Sequence, residues 1–96
     1  MKIVINKCYG GFGLSDETLA LLSELKGHQV FANSFLPDRM RLDKDLVTVV
    51  EQLGERANGD YADLQIVSIN KPFRIVEYDG AERVETMDDI HLVPVE

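Results

Sequence analysis

A single cysteine, Cys8, stands in the whole chain, and tryptophan is absent. One thiol cannot close an internal disulfide, so packing alone must hold the fold. With only His28 and His91 as histidines, far apart in sequence, that thiol also offers no spacing for a metal site. Long apolar runs are missing too. No stretch approaches the roughly 18 residues of a membrane span. The opening MKIVINKCYGG is broken by Asn6 and Lys7 and is too short in its apolar part for a secretory leader. These absences predict cytoplasmic residence, with no membrane and a reduced thiol. Positive charge is scarce. Ten Lys and Arg face seventeen Asp and Glu, a net charge of −7. Such a surface opposes direct nucleic-acid binding and suits either a basic protein partner or plain solubility. No linker, repeat or low-complexity segment divides the 96 residues, which read as one domain over 1–96.

What the chain does have is a clear succession of elements. The β-branched run KIVIN at 2–6 predicts a strand, and Gly10, Gly11 and Gly13 punctuate the loop after it. Ser15 is placed to cap a helix, with Asp16 and Glu17 on its positive end, Leu14 and Leu19 at staple positions and Gly27 as its stop. HQVFAN at 28–33 has the composition of a second strand. Residues 34–42 lack a period and read as a long loop of the kind that carries function. Asp43 caps a second helix whose buried stripe is Leu46, Val47, Val49, Val50 and Leu53. Ala57 extends that helix and Asn58-Gly59 is placed to close it in a left-handed cap. Strands follow at 63–70 and 73–78, then the hairpin signal Asp79-Gly80. Pairing across that turn sets Arg74 opposite Glu85, Ile75 opposite Val84 and Glu77 opposite Glu82. The last is a like-charge pair that is unfavourable unless solvated or bound by something basic. His91–Val95 adds an edge strand. The order β-α-β-α-β-β-β predicts an α+β fold: a mostly antiparallel sheet of five to six strands with two helices on one face. Free sheet edges in so small a chain favour a homo-oligomer.

The strand, glycine loop and helix at 2–26 suggest a phosphate cradle, but no Gly-Lys-Ser/Thr follows and Asp16 and Glu17 already occupy the helix start. A tight structural turn accounts for the glycines as well. Cys8 as a nucleophile would need a base beside it, which the sequence cannot place. The carboxylates sit on helix starts and turns, where capping explains them, so no catalytic residue, metal or cofactor is assigned. The best anion site is Arg39-Met40-Arg41, with Lys44 following, because guanidinium forks suit phosphate. Pairing with Asp38, Asp43 and Asp45 explains those cations equally. On the hairpin, Phe73, Arg74 and Tyr78 have the residue types that stack on a base. The alternative is a core Phe73 and an Arg74 paired to Glu85. Tyr9 and Phe12 in the glycine loop are either packed inward or exposed at an interface.

The opening Ile3-Val4-Ile5-Asn6-Lys7-Cys8-Tyr9-Gly10-Gly11-Phe12-Gly13-Leu14-Ser15 resembles the start of a widespread group of small phage and prophage proteins. The resemblance continues at 45–47, 50–55, 57–59, 62–67 and 77–80, about half the chain in the same order. It fails over Phe31–Leu42, and the tail Asp88–Glu96 lacks the basic and aromatic ending of that group. The group is similar to the Thoeris anti-defence proteins, which sequester a cyclic ADP-ribose signal between subunits and do no chemistry. The resemblance therefore implies a non-catalytic anti-defence protein that captures a small nucleotide signal, cyclic ADP-ribose-like or a cyclic oligonucleotide. The second expectation is an acidic, anti-CRISPR-like inhibitor of a host nucleic-acid-binding defence protein. The third is a small enzyme using Cys8.

Overall fold

The structure, a computed structural model, describes residues 1–86. Its order is β1 (Lys2–Asn6), α1 (Asp16–Lys26), 3₁₀ helices at Ala32–Phe35 and Asp38–Leu42, α2 (Lys44–Leu53), a 3₁₀ helix at Gly54–Ala57, β2 (Leu64–Ser68), β3 (Phe73–Tyr78) and β4 (Ala81–Thr86). The fold class is α+β. The described residues form two antiparallel two-stranded sheets, β1–β2 and β3–β4, in place of one sheet of five to six strands. The expected edge strand at 91–95 lies outside the described residues.

Both helices begin as their caps dictate. Ser15 Oγ accepts from the Thr18 amide at 3.1 Å, and Asp43 Oδ2 from the Leu46 amide at 2.9 Å. Gly27 closes α1 in the left-handed region at φ 74°. Lys26 reaches from α1 to Asp43 and Asp45 at 2.9 and 3.1 Å, which ties the two helices and raises the lysine's pKa, chiefly through its hydrogen bond to Asp43. All five residues of the expected α2 stripe are buried. The helix stops earlier than expected, at Leu53. Gly54 takes φ 59°, ψ −129°, a region open to glycine, while Asn58 is extended rather than left-handed. The 3₁₀ turn after Gly54 brings the Ala57 carbonyl back to the Ser15 amide at 2.9 Å and to Thr18 Oγ1 at 3.1 Å, so the end of one helix unit pins the start of the other.

β1 is buried on both faces, which is why it reads as an unbroken apolar run. Val4 faces α1 and α2 in one core, with Leu22, Phe35, Leu46, Val49, Val50 and Leu64. Ile3 and Ile5 face the other way, into a second core with Ile69 and Phe73, against which Ile75 and Val84 of the hairpin pack. The β3–β4 register is the expected one, Glu77 against Glu82 included.

Two corrections follow from the middle of the chain. Residues 28–33 form no strand. The Val30 amide donates to Ser23 Oγ at 2.9 Å, and the chain then turns into the 3₁₀ helix that delivers Phe35 to the core. Residues 34–42 are not an open loop but a strut of two 3₁₀ turns that sends Phe35 and Arg41 inward while Leu36, Arg39 and Met40 stay exposed. Asp38 accepts from the Ile75 amide at 2.8 Å, and Arg41, only 2% exposed, enters the gap between β1 and the hairpin.

There Arg41 donates from Nη1 and Nη2 to the two oxygens of Glu82 at 2.7 and 2.8 Å. It also bonds the carbonyls of Val4 (3.3 Å), Leu36 (3.4 Å) and Phe35. A guanidinium has five N–H donors, and these five contacts occupy them. Glu82 accepts in turn from the Asn6 amide at 2.8 Å. The Val4 carbonyl and Asn6 amide lie on the edge of β1 away from β2, where a third strand would pair. An ion pair takes that strand's place. This is the basic partner that the Glu77–Glu82 pairing required.

Replacing Arg41 by Met leaves the Glu82 carboxylate buried and unpaired, and is expected to cost about 3–5 kcal/mol in urea denaturation. The double replacement with Glu82→Met should recover only part, because the Val4 carbonyl and Asn6 amide still lose their partners.

Candidate functional site

The glycine loop, the β3–β4 turn and the chain entering β2 meet at one end of the molecule, and Asn6 clamps all three. Its buried amide donates from Nδ2 to the carbonyls of Cys8 (2.7 Å) and Gly80 (2.8 Å). Its Oδ1 accepts from the amides of Cys8 (3.2 Å) and Asp63 (2.8 Å). Asp79 and Gly80 turn with φ 53° and 92°, as a two-residue hairpin with the right strand twist demands. The crossing has no spare room. A Cβ on Gly80 would lie 2.3 Å from the Tyr9 carbonyl oxygen, and one on Gly10 would lie 2.1 Å from Tyr61 Cβ.

At this crossing the side chains of Tyr9 and Tyr61 point outward, and the strand period sends Tyr78 the same way. Tyr9, Tyr61 and Tyr78 are 69%, 81% and 77% exposed, and they are all the tyrosines in the chain. Tyr61 holds φ 64°, a left-handed conformation that a bulky residue rarely adopts. Between Tyr9 and the hairpin lies an open groove of ≈ 450 Å³, lined by Tyr9, Val76, Glu77, Tyr78, Ala81, Glu82 and Arg83.

The strand period places Arg74, Val76 and Tyr78 on one face of the hairpin with their partners Glu85, Arg83 and Ala81. This face looks away from the second core. Arg74 Nε donates to Glu85 Oε1 at 2.8 Å, and Arg83 Nη1 lies 2.5 Å from Oε2. Two guanidiniums thus share one carboxylate, a local charge of +1 (two cations less one anion) in a chain of net −7. The arginines, Arg74 foremost, hold the Glu85 pKa below the usual glutamate value.

Of the residues singled out from the sequence, Tyr78 and Tyr9 come together at the groove, and Arg74 shares Tyr78's face four residues back along β3. The others disperse. Arg41 is sealed in the interior, and Phe12 covers its guanidinium, with 3.7 Å between Arg41 Cζ and the ring centroid. Phe73 is fully buried and has no ring face to offer. Arg39 is exposed on a different surface, beside Met1, Leu42, Asp43 and Lys44 around a depression of ≈ 290 Å³. The Cys8 backbone is tied to Asn6, while the exposed His28 ring contacts the Gln29 carbonyl. His91 lies outside the described residues. Among the described residues no group of three or more His, Cys, Asp or Glu could hold a metal ion, and no helix is long and apolar enough to cross a membrane.

Sequence reasoning missed Arg83, Asn6 and Tyr61. Arg83 was within reach: the hairpin register alone puts it opposite Val76, on the face of Arg74 and Tyr78. Asn6 and Tyr61 had no signal, since their roles come from which chain segments cross. No family model, curated protein or solved structure matches the chain.

Gly10→Ala tests the crossing. Its Cβ would meet Tyr61 Cβ and backbone rather than a movable side-chain tip, so a loss of about 3 kcal/mol is expected, the upper end for overpacking. An unchanged denaturation midpoint would show that the loop and the Tyr61 turn do not cross this way.

Proposed function

We propose that this chain is a non-catalytic binding protein that captures a small nucleotide-like ligand on the outer face of the β3–β4 hairpin. The observation that carries this reading is the convergence of Tyr9, Tyr78 and Arg83 on one groove, with Arg74 next to it. Tyrosine faces suit a base, and guanidinium forks suit phosphate. The two guanidiniums act on a bound phosphate at contact distance, well inside a Debye length of about 8 Å, with Glu77 as the opposing charge in the groove. The resemblance of the N-terminal block to phage proteins supplies the biological sense: sequestration of a cyclic ADP-ribose-like or cyclic oligonucleotide defence signal in the host cytoplasm. The groove is open, whereas small-ligand sites bury most of their ligand. A second copy closing over it would complete the site, in keeping with a homo-oligomer.

The test is a thermal-shift and calorimetric panel of ADP-ribose, cyclic ADP-ribose and cyclic dinucleotides, with native mass spectrometry for stoichiometry. One of these should raise the melting temperature and bind. Tyr78→Ala and Arg83→Ala should each weaken that binding by about tenfold or more, the scale of one stacking or charge-assisted contact. If no nucleotide binds the intact protein, the reading fails.

One observation favours the second reading, an acidic inhibitor of a basic protein. The three displayed tyrosines share their end of the molecule with exposed Asp60, Asp63, Glu77 and Asp79. Rigid tyrosines edged by carboxylates suit an arginine- and lysine-bearing surface. Binding of that kind should weaken steeply between low and high salt, as measured by titration against a basic nucleic-acid-binding protein of the host.

A further inference from the structure

Glu85 is the least exposed member of the arginine cluster. Its side chain is 13% exposed, against 37% for Arg74 and 61% for Arg83. Both of its oxygens are taken. Oε1 receives Nε and Nη2 of Arg74 at 2.8 and 2.7 Å, and Oε2 lies 2.5 Å from Nη1 of Arg83. The two arginines are held differently. Arg74 is gripped along one edge of its fork and is the more covered. Arg83 is bound through one nitrogen and is mostly in solvent, at the lip of the groove that Tyr9 and Tyr78 flank.

We infer that Glu85 is a built-in counter-ion of the ligand groove, which holds Arg74 in place and competes with an incoming phosphate for Arg83, so that the groove selects ligands whose phosphate charge is high enough to draw Arg83 away. The inference rests on the proposed nucleotide capture and adds the residue that sets its threshold. A monoanion gains little by replacing one carboxylate contact with another of equal charge. A pyrophosphate carries more charge and more acceptor oxygens, and it can engage the free edge of Arg83 while Arg74 stays bound to Oε1. The carboxylate also explains how two guanidiniums remain in place on an open strand face when no ligand is bound. Without it, two adjacent cations would repel each other and reach into solvent.

Glu77 provides the control. It lines the same groove and carries the same charge, yet its carboxylate accepts from the Gly80 amide at 3.2 Å rather than from an arginine. A general charge effect would make Glu77→Gln and Glu85→Gln alike, whereas a counter-ion effect makes Glu85→Gln the larger, because only Glu85 releases an arginine.

The experiment is calorimetric titration of the wild-type chain and of Glu85→Gln, Glu77→Gln and Arg83→Gln with ADP-ribose and with inorganic pyrophosphate at fixed ionic strength, each variant checked first by its melting curve. Glu85→Gln should bind both probes about five- to tenfold more tightly, roughly the worth of one charge-assisted contact. Glu77→Gln removes one groove charge without freeing an arginine, so it should tighten binding clearly less than Glu85→Gln does, and Arg83→Gln should lose binding of both probes. Wild-type binding that Glu85→Gln leaves unchanged, weakens, or strengthens no more than Glu77→Gln does overturns the inference while sparing the binding site. Absence of binding in the wild type and in Glu85→Gln alike removes the site itself. A Glu85→Gln chain that melts below its use temperature is replaced by Glu85→Asp. That shorter carboxylate cannot span both guanidiniums, and it should tighten binding in the same direction. If it leaves affinity unchanged, the inference is likewise overturned.

Discussion

The fold turns on a guanidinium and a carboxylate standing where a β-strand would be. Arg41 gives an N–H to the Val4 carbonyl and Glu82 takes one from the Asn6 amide, so together they present to β1 the donor and acceptor of a peptide group. The pair has no obvious merit as a source of stability, since burying two charges costs several kcal/mol each before their attraction offsets it. Its merit is geometric. A strand edge requires a partner with one spacing and one polarity, and this partner also fixes which residue of β4 faces β1 and which turn of the 34–42 strut lies between them.

From that constraint the rest of the arrangement follows. The hairpin cannot join β1 as a continuous sheet, because side chains occupy the edge, so it folds over the far face and covers Ile3 and Ile5. One face of the hairpin becomes core and the other is left to solvent with Arg74, Val76, Tyr78 and Arg83. The same docking lays the Asp79-Gly80 turn across the glycine loop, where Asn6 binds both. Tyr9 and Tyr61 are displayed where the backbone beneath them is closely packed, and Tyr78 because the strand period turns it away from the core. The candidate groove is therefore a by-product of the core: its walls are set by contacts made on the opposite side of the same strands.

Much of this was legible in the residues. The caps at Ser15 and Asp43, the α2 stripe and the Asp79-Gly80 register depend on neighbours within a few positions or across a single turn, and local chemistry decides them. The phosphate-cradle reading of the glycine loop gave way on the same local grounds, its acidic helix start. Where local signals misled, a distant partner had intervened. Val30 and Phe31 have strand composition, but among the described residues no strand pairs with them. Arg41 has the look of a surface anion binder, and only the arrival of Glu82, 41 residues later, draws it inside.

The sequence by itself determined the α+β class, both helix starts, the buried stripe of α2 and the hairpin with its face of Arg74 and Tyr78, because period and turn chemistry act over short range. It also exposed a debt, the paired Glu77 and Glu82, without naming the creditor. Tertiary structure alone decided that Arg41 settles it, that β1 carries a side-chain pair instead of a third strand, and that Arg83 and the three tyrosines share one end. Those outcomes depend on which distant segments meet, and a buried charge must find its partner wherever the chain can bring one.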